Sequence, residues 1–216
     1  MKQNKFSIGV IGVGHLGEYH VKHLKTIEKS KLIGIFDSNS KRASIVSKRY
    51  GVDNFNSQLE LIEKCDAISI VTPTESHYKI AKTILKYGKH VFVEKPITAN
   101  VQDANELIDL AIKRRLILQV GHIERINPAL LALSDYKLDP KYIEIQRLAP
   151  YSVRGTDVPV VLDKMIHDLD ILLSLVKTPL KEIHADGLSI LTESIDMAKK
   201  VHSIVCMLMK ISPKIQ

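Results

Sequence analysis

The chain has 216 residues, a length at which one large or two small domains can bury a core. Hydrophobic residues make up 45% and charged residues 25%, as in ordinary soluble proteins, and no apolar run approaches the roughly 20 residues of a membrane-spanning helix. The net charge of +7 comes from lysines scattered over helices and turns, with only 5% aromatic residues, which argues against binding to nucleic acid.

Strand and helix patterns alternate through the first 121 residues. Apolar runs predict strands at 6–11, 32–36, 67–71, 90–93 and 116–120. Amphipathic patterns predict helices at 15–28, 41–49, 57–64, 76–87 and 101–114, with Asn100 as the cap of the last one. Repeated βαβ units indicate an α/β fold. We therefore expect a Rossmann domain with a doubly wound parallel sheet at 1–121.

The pattern changes after Gly121. A helix is predicted at 127–134, a strand at 141–148, a second helix at 162–176 and a second strand at 181–191. This mixture predicts an α+β domain at 122–216. The strand-like alternation fades after Val205, so we expect an incomplete second domain, the product of a truncation such as a frameshift near residue 200.

The first predicted strand runs into the motif Gly12-x-Gly14-x-x-Gly17 at the start of a helix. In this motif the first glycine permits a tight turn, the second lets the backbone approach a pyrophosphate and the third allows close helix packing. Asp37 follows 20 residues after Gly17, the spacing at which a carboxylate accepts hydrogen bonds from an adenosine ribose. Its charge would repel a 2′-phosphate, so NAD is expected rather than NADP, although Lys41 and Arg42 leave some room for NADP.

Polar clusters follow three of the predicted strands, at 72–77, 94–96 and 121–122. The carboxyl ends of parallel strands are where such sheets bind ligands. In Glu94-Lys95-Pro96 the lysine ammonium is suited to polarise a hydroxyl or carbonyl oxygen, although an exposed turn lysine fits equally well. Thr72-Pro-Thr-x-x-His77 would line a ribose or pyrophosphate, or form an ordinary proline turn before a helix.

A second constellation lies on the helix predicted at 162–176. Asp163, His167 and Asp170 are spaced i, i+4 and i+7, which places them on one face of an otherwise apolar helix. His167 can act as a general base near neutral pH, and Asp163 can orient it. The alternative is a histidine with structural partners in the core. Cys65 and Cys206 have no metal-like spacing, so we expect no metal site and a reducing, cytoplasmic environment.

Taken in order, these motifs resemble the glucose–fructose oxidoreductase/inositol dehydrogenase (Gfo/Idh/MocA) family, two-domain NAD(P)-dependent sugar oxidoreductases. The resemblance covers residues 6–190 and implies that Lys95 and His167 are catalytic, with Asp163 beside them. The expected cofactor contacts are Gly12, Gly14, His15, Leu16, Gly17, Asp37, Ser38, Thr72, Pro73, Thr74, His77, Glu94 and Lys95.

The segment Val120-Gly-His-Ile-Glu-Arg-Ile-Asn-Pro128 is similar to one found in UDP-N-acetylglucosamine 3-dehydrogenases. The similarity implies oxidation of the sugar 3-hydroxyl to a ketone, which an aminotransferase of lipid A biosynthesis then uses. It also implies a homo-oligomer if the second-domain sheet is complete. Two alternatives stay open: an inositol or other sugar dehydrogenase, and an inactive NAD-binding module. Expected substrate contacts are His122, Arg125, Asn127, Tyr151 and Arg154.

Overall fold

The computed structural model describes residues 5–140, 142–150, 159–176, 178–189, 197–201 and 205–212. The chain divides into two compact units, Met1–Gly121 and His122–Gln216. No helix within the described ranges has the length and apolar character needed to cross a membrane.

The first unit is a parallel five-stranded sheet with the strand order β2-β1-β3-β4-β5. This arrangement confirms the doubly wound sheet predicted from the alternating pattern. The strands are β1 Phe6–Ile11, β2 Ser30–Phe36, β3 Ala67–Ile70, β4 His90–Val93 and β5 Leu118–Val120. The helices are α1 His15–Leu24, α2 Ser40–Tyr50, α3 Gln58–Glu63, α4 Thr74–Lys86 and α5 Val101–Arg114.

Local hydrogen bonds explain where these helices begin and end. The Asn100 side chain accepts a hydrogen bond from the Asp103 backbone N–H at 2.9 Å, so α5 begins where the sequence predicts. By contrast α1 ends at Leu24, four residues before the predicted end. There the backbone N–H and the hydroxyl of Thr26 both donate to the His23 carbonyl, at 2.9 and 2.8 Å, and this tight turn replaces the next helical turn.

The core of the first unit lies on both faces of the sheet. Ile68 and Ile70 of β3 are completely buried, as are Ile84 and Leu85 of α4 on one face. On the other face Val10 of β1 packs in a separate cluster with residues of α1 and α2. The sheet order reverses between β1 and β3, because the chain moves outward from β1 to β2 and then returns to the opposite side of β1. A crevice outside the carboxyl ends of β1 and β3 follows from this reversal.

The second unit combines short helices with a four-stranded sheet of order β6-β9-β8-β7. Strands β6 and β9 pair in parallel, whereas β8 is antiparallel to both β7 and β9. In chain order its elements are a 3-10 helix Ile123–Ile126, α6 Pro128–Leu131, β6 Ile143–Pro150, a π-helical turn Val161–Met165, α7 Ile166–Leu175, β7 His184–Leu188, β8 Met197–Val201 and β9 Val205–Ser212.

Two elements of this unit differ from the sequence expectations. The stretch after Val205, where alternation fades, forms the regular strand β9, because it is paired on both sides and its backbone hydrogen bonds come from two neighbours. The helix predicted at 127–134 is shorter than expected, because α6 covers only Pro128–Leu131, and it is preceded by a 3-10 helix that the sequence did not predict. Asn127 separates the two, since its side chain accepts from the Ala129 N–H at 3.0 Å and caps α6.

Candidate cofactor and catalytic site

A cleft of about 500 Å³ opens at the point where the sheet order reverses. It is bounded by the loop after β1, the end of β2 and the turn after β3. Gly12, Gly14, Asp37, Ser38, Thr72 and Pro73, all predicted cofactor contacts, line it together with Ile11, Phe36, Gln58, Val71, Glu75, Ser76 and Ile80. The structure therefore brings these six residues together in one concave site.

The three glycines of the loop have different physical roles. Gly12 has a φ of +87°, and a Cβ there would lie 2.5 Å from the Val71 carbonyl oxygen. A Cβ on Gly17 would lie 2.0 Å from the Gly12 carbonyl oxygen, so a side chain there would force the backbone of the loop to move. Gly14 has no atom within 4 Å of the Cβ position and leaves open space at the N-terminus of α1. Such an open N-terminus suits an anionic group.

Asp37 and Arg42 both form hydrogen bonds with the backbone of the glycine loop. One carboxylate oxygen of Asp37 accepts from the Val13 N–H at 2.7 Å, and the other accepts from the Asn39 N–H at 2.8 Å. Arg42 donates from Nε to the Val13 carbonyl at 2.7 Å and from Nη2 to the Gly14 carbonyl at 3.2 Å. The sequence analysis considered Arg42 as a partner for a 2′-phosphate. In the structure its guanidinium is bound to the loop backbone instead.

Glu18 of α1 anchors this arginine. Its carboxylate accepts hydrogen bonds from Arg49 and Arg42, and from the Tyr50 hydroxyl at 3.1 Å. The hydrogen bonds from Arg49 and Arg42 lower the pKa of Glu18 to about 2. The network links α1 to α2 and fixes the orientation in which Arg42 meets the loop. His15 and Leu16, two further predicted cofactor contacts, are exposed in the first turn of α1.

His77 connects two of the predicted polar clusters. Its side chain is buried, with Nδ1 2.8 Å from the Pro96 carbonyl oxygen and Nε2 2.9 Å from the Thr72 carbonyl oxygen. The Ser76 hydroxyl donates to the Thr72 hydroxyl at 2.7 Å, and Thr74 is buried at the start of α4. The histidine therefore ties the turn after β3 to the turn that carries Lys95.

Glu94 and Lys95 follow β4 and are both half-buried, and a cis peptide bond joins Lys95 to Pro96. Oε1 of Glu94 lies 3.1 Å from Nε2 of His20, whose Nδ1 lies 3.0 Å from the Ser69 hydroxyl. A Cβ on Gly121 would lie 2.9 Å from Oε1, so a side chain there would displace this carboxylate. Glu94 thus links the turn that carries Lys95 to α1 through His20.

In the second unit Asp163 lies in the π-helical turn, and His167 lies in the first turn of α7. Both side chains are half-buried, and an Asp163 carboxylate oxygen is 3.1 Å from the Lys164 ammonium. The predicted helix is therefore present, but it begins with a wider π-helical turn that carries Asp163. Such turns are frequent at functional sites.

The predicted substrate contacts have different surroundings. Arg125 forms a two-pronged ion pair with Asp170, and Asn127 caps α6 while donating to Glu124 at 3.1 Å. Nδ1 of His122 lies 3.9 Å from an oxygen of Asp170. Tyr151 and Arg154 lie outside the described residues.

Sequence reasoning missed three participants that the structure reveals. Arg42 was considered only as a phosphate ligand, and His20 was not singled out. The third, Arg147, pairs with Asp168 through hydrogen bonds of 2.7 and 2.6 Å, and this bond raises the pKa of Arg147. The sequence could have indicated this ion pair, because the apolar pattern of the helix places Asp168 at a buried position. A buried carboxylate needs a cationic partner.

Comparison with known proteins identifies relatives that match most of the chain. Residues 6–122 match the family described as "Oxidoreductase family, NAD-binding Rossmann fold" (Gfo/Idh/MocA). A UDP-N-acetylglucosamine 3-dehydrogenase of Acidithiobacillus ferrooxidans is 41% identical over 191 residues, which cover 88% of this chain and 60% of that protein. A myo-inositol 2-dehydrogenase of Thermotoga maritima is 29% identical over 213 residues, which cover 93% of this chain and 64% of the relative.

Solved structures agree with these matches. The structure of UDP-N-acetylglucosamine 3-dehydrogenase GnnA from Acidithiobacillus ferrooxidans aligns with a TM-score of 0.90 at 36% identity, covering 96% of this chain and 70% of that one. The chain spans less than two thirds of the length of the two curated relatives named above.

Proposed function

The chain belongs to the Gfo/Idh/MocA oxidoreductase family, whose NAD-binding domain has the Rossmann fold, and from this premise we propose that it acts as an NAD-dependent sugar dehydrogenase. The proposed substrate is UDP-N-acetylglucosamine and the proposed reaction is oxidation of its 3-hydroxyl to a ketone. The observation that carries the substrate is the 41% identity, over 88% of this chain, to a protein named for that reaction. The cleft at the sheet reversal supports the cofactor.

The residues of the cleft fit a dinucleotide. Gly14 leaves open space at the N-terminus of α1 for a pyrophosphate, and Asp37 stands at the end of β2 with lone pairs left for a ribose. The carboxylate of Asp37 would repel a 2′-phosphate, while the Arg42 guanidinium is bound to Val13 and Gly14. We therefore propose NAD as the preferred cofactor over NADP.

Replacement of Asp37 tests this preference. Asp37→Ala removes the negative charge that would disfavour a 2′-phosphate, so the ratio of the NADP and NAD dissociation constants should fall by about tenfold, which corresponds to about 1.4 kcal/mol. Isothermal titration calorimetry with NADP and with NAD measures the ratio. Asp109→Ala is the control, because it removes an exposed carboxylate on α5, which does not line the cleft. An unchanged ratio in Asp37→Ala would contradict the assignment of cofactor specificity to this carboxylate.

In the proposed mechanism His167 accepts the proton of the sugar hydroxyl. Lys95 stabilises the negative charge that develops on the oxygen, and Asp163 orients His167 or shares its proton. The nicotinamide ring, when bound, supplies the acceptor for the hydride that leaves the carbon. His77 and Glu94 would act on this chemistry indirectly, because they hold the two ends of the Lys95 turn.

Absorbance at 340 nm tests the proposal, with NAD, UDP-N-acetylglucosamine and an aminotransferase with glutamate that withdraws the ketone. NADH formation that falls by at least about a hundredfold in Lys95→Met, with NAD affinity retained, is the expected result. Lys113→Met is the matched control, since Lys113 is exposed on α5. NADH formation from inositol instead would identify the alternative sugar. NAD binding without turnover on any sugar would indicate an inactive NAD-binding module.

We further propose a cytoplasmic place for this reaction, where UDP-sugars and NAD occur together. The ketone would be consumed by an aminotransferase that makes a diamino sugar for lipid A.

A further inference from the structure

The helix that carries His167 also carries two aspartates that are almost completely buried. Asp168 is 2% exposed and Asp170 is 9% exposed. Each forms two parallel hydrogen bonds with an arginine from a different element of the second unit. Arg147 of β6 binds Asp168 at 2.7 and 2.6 Å, and Arg125 of the 3-10 helix binds Asp170 through two bonds of 2.6 Å.

Bonds of this kind fix direction as well as distance. A planar guanidinium that meets a carboxylate through two parallel hydrogen bonds holds both groups in one relative orientation. The buried carboxylates also make the pairs hard to break, because loss of one partner leaves a charge inside the protein. Apolar residues in place of both partners would pack without this penalty, so the pairs call for an explanation beyond simple stability.

The positions of the pairs around α7 supply that explanation. Each residue of an α-helix advances by about 100° around the axis. Measured from His167, Asp168 therefore lies about 100° to one side and Asp170 about 60° to the other. One ion pair holds the helix at one point on its circumference, whereas two pairs anchored on β6 and on the 3-10 helix resist rotation in both directions.

The size of the rotation that matters is small. Side-chain ends lie about 5–6 Å from a helix axis, so a rotation of about 10° moves the imidazole by about 1 Å. A displacement of about 1 Å at a reacting group is enough to slow catalysis by about a hundredfold.

We propose that the Arg147–Asp168 and Arg125–Asp170 pairs are positioning residues that fix the direction in which His167 points. This inference rests on the proposed function, because it takes His167 as the group that accepts the substrate proton. It gives Arg125, which the sequence suggested as a substrate contact, a role exerted through Asp170. It also gives the two buried aspartates a role in catalysis without contact to the substrate.

Nuclear magnetic resonance of histidine side chains tests the positioning directly. The chain has nine histidines, and the signals of His167 are assigned by their loss in His167→Asn. Asp168→Asn and Asp170→Asn, measured separately at one pH, should each shift or broaden the His167 signals. Glu182→Gln is the control, because Glu182 pairs with the exposed His184 in the same unit and does not flank His167. It should leave the His167 signals unchanged.

Turnover supplies the second measurement. Each aspartate variant should lower kcat by about a hundredfold with little change in the NAD dissociation constant, because the cofactor cleft lies in the other unit. Arg147→Lys and Arg125→Lys keep a cation but lose the bidentate geometry. The kcat of these variants should therefore lie between that of wild type and those of the asparagine variants. If an asparagine variant fails to fold, these lysine variants test whether the ion pairs position His167.

The results separate the two proposals. Folded variants of both pairs whose His167 signals match those of wild type would overturn the positioning role, whatever the activity. An equal loss of kcat in Glu182→Gln would also overturn it. Absence of NADH formation by the wild-type protein would contradict the proposed function, while the resonance measurements would still decide whether the two pairs orient His167.

Discussion

Gly17→Ala should destabilise the protein, although alanine is the better helix former. Gly17 is the third residue of α1, and there alanine normally gains about 1 kcal/mol over glycine. The added Cβ would lie 2.0 Å from the Gly12 carbonyl oxygen and 2.9 Å from the carbonyl carbon. Carbon and oxygen atoms in close contact are usually about 3.3 Å apart, so the backbone must move by more than about 1 Å.

The size of the effect follows from what must move. Overpacking in a core costs about 1–3 kcal/mol, and a backbone carbonyl cannot rotate away as a flexible side chain can. We therefore take the upper end of this range, about 3 kcal/mol, and subtraction of the helix-propensity gain of about 1 kcal/mol leaves an expected loss of about 2 kcal/mol in the free energy of unfolding. The sign of this change tests the reasoning, because alanine at a site with room for a methyl group would instead raise the free energy of unfolding by about 1 kcal/mol.

Urea unfolding followed by circular dichroism measures this free energy, with NAD titration on the same samples. Gly14→Ala is the matched control, since no atom lies within 4 Å of its Cβ position. It should stay within about 1 kcal/mol of wild type but bind NAD more weakly, because the methyl group would occupy the proposed pyrophosphate position. A Gly17→Ala protein as stable as wild type would refute the account of this loop.

Two further predictions concern titratable groups of the first unit. The pKa of Glu18 is lowered from 4.5 to about 2, so its contribution to stability is complete above about pH 4.5 and is lost as the pH falls toward 2. The urea midpoint should therefore fall more between about pH 5 and pH 3 in wild type than in Glu18→Gln, and equal falls would contradict this. Burial raises the pKa of the Cys65 thiol to about 12. In a Cys206→Ser background, iodoacetamide at about pH 8 should modify Cys65 only after denaturation, and rapid labelling of the folded protein would show that the thiol is accessible.

Local signals made much of the first unit predictable. The helix α5 has the predicted bounds because Asn100 caps its start and Arg115, with a φ of +56°, ends it. The roles of the three glycines could be predicted from the sequence, because each follows from the geometry of a single turn. The hydrogen bonds of Arg42 to the Val13 and Gly14 carbonyls could not be predicted in this way, since Arg42 is 29 and 28 positions from these residues and meets them only when α2 packs beside α1.

In the second unit, too, contacts between residues far apart in the sequence could not be predicted. Helical spacing placed Asp163, His167 and Asp170 on one face, but spacing alone does not say which cation meets a buried carboxylate. The partner of Asp168 is 21 residues earlier on β6, and the partner of Asp170 is 45 residues earlier on the 3-10 helix. Such pairs depend on tertiary packing. Their existence can be expected from an aspartate at a buried helix position, whereas their identity needs the fold.

Transfer of deuterium tests the proposed reaction most directly. UDP-N-acetylglucosamine carrying deuterium at C3 is incubated with the protein and NAD, and the NADH formed is analysed by mass spectrometry. The proposed mechanism predicts that the NADH carries the deuterium and that the sugar becomes a 3-ketone. NADH without deuterium would place the oxidation at another carbon, and complete absence of NADH with a protein that binds NAD would contradict the proposed dehydrogenase.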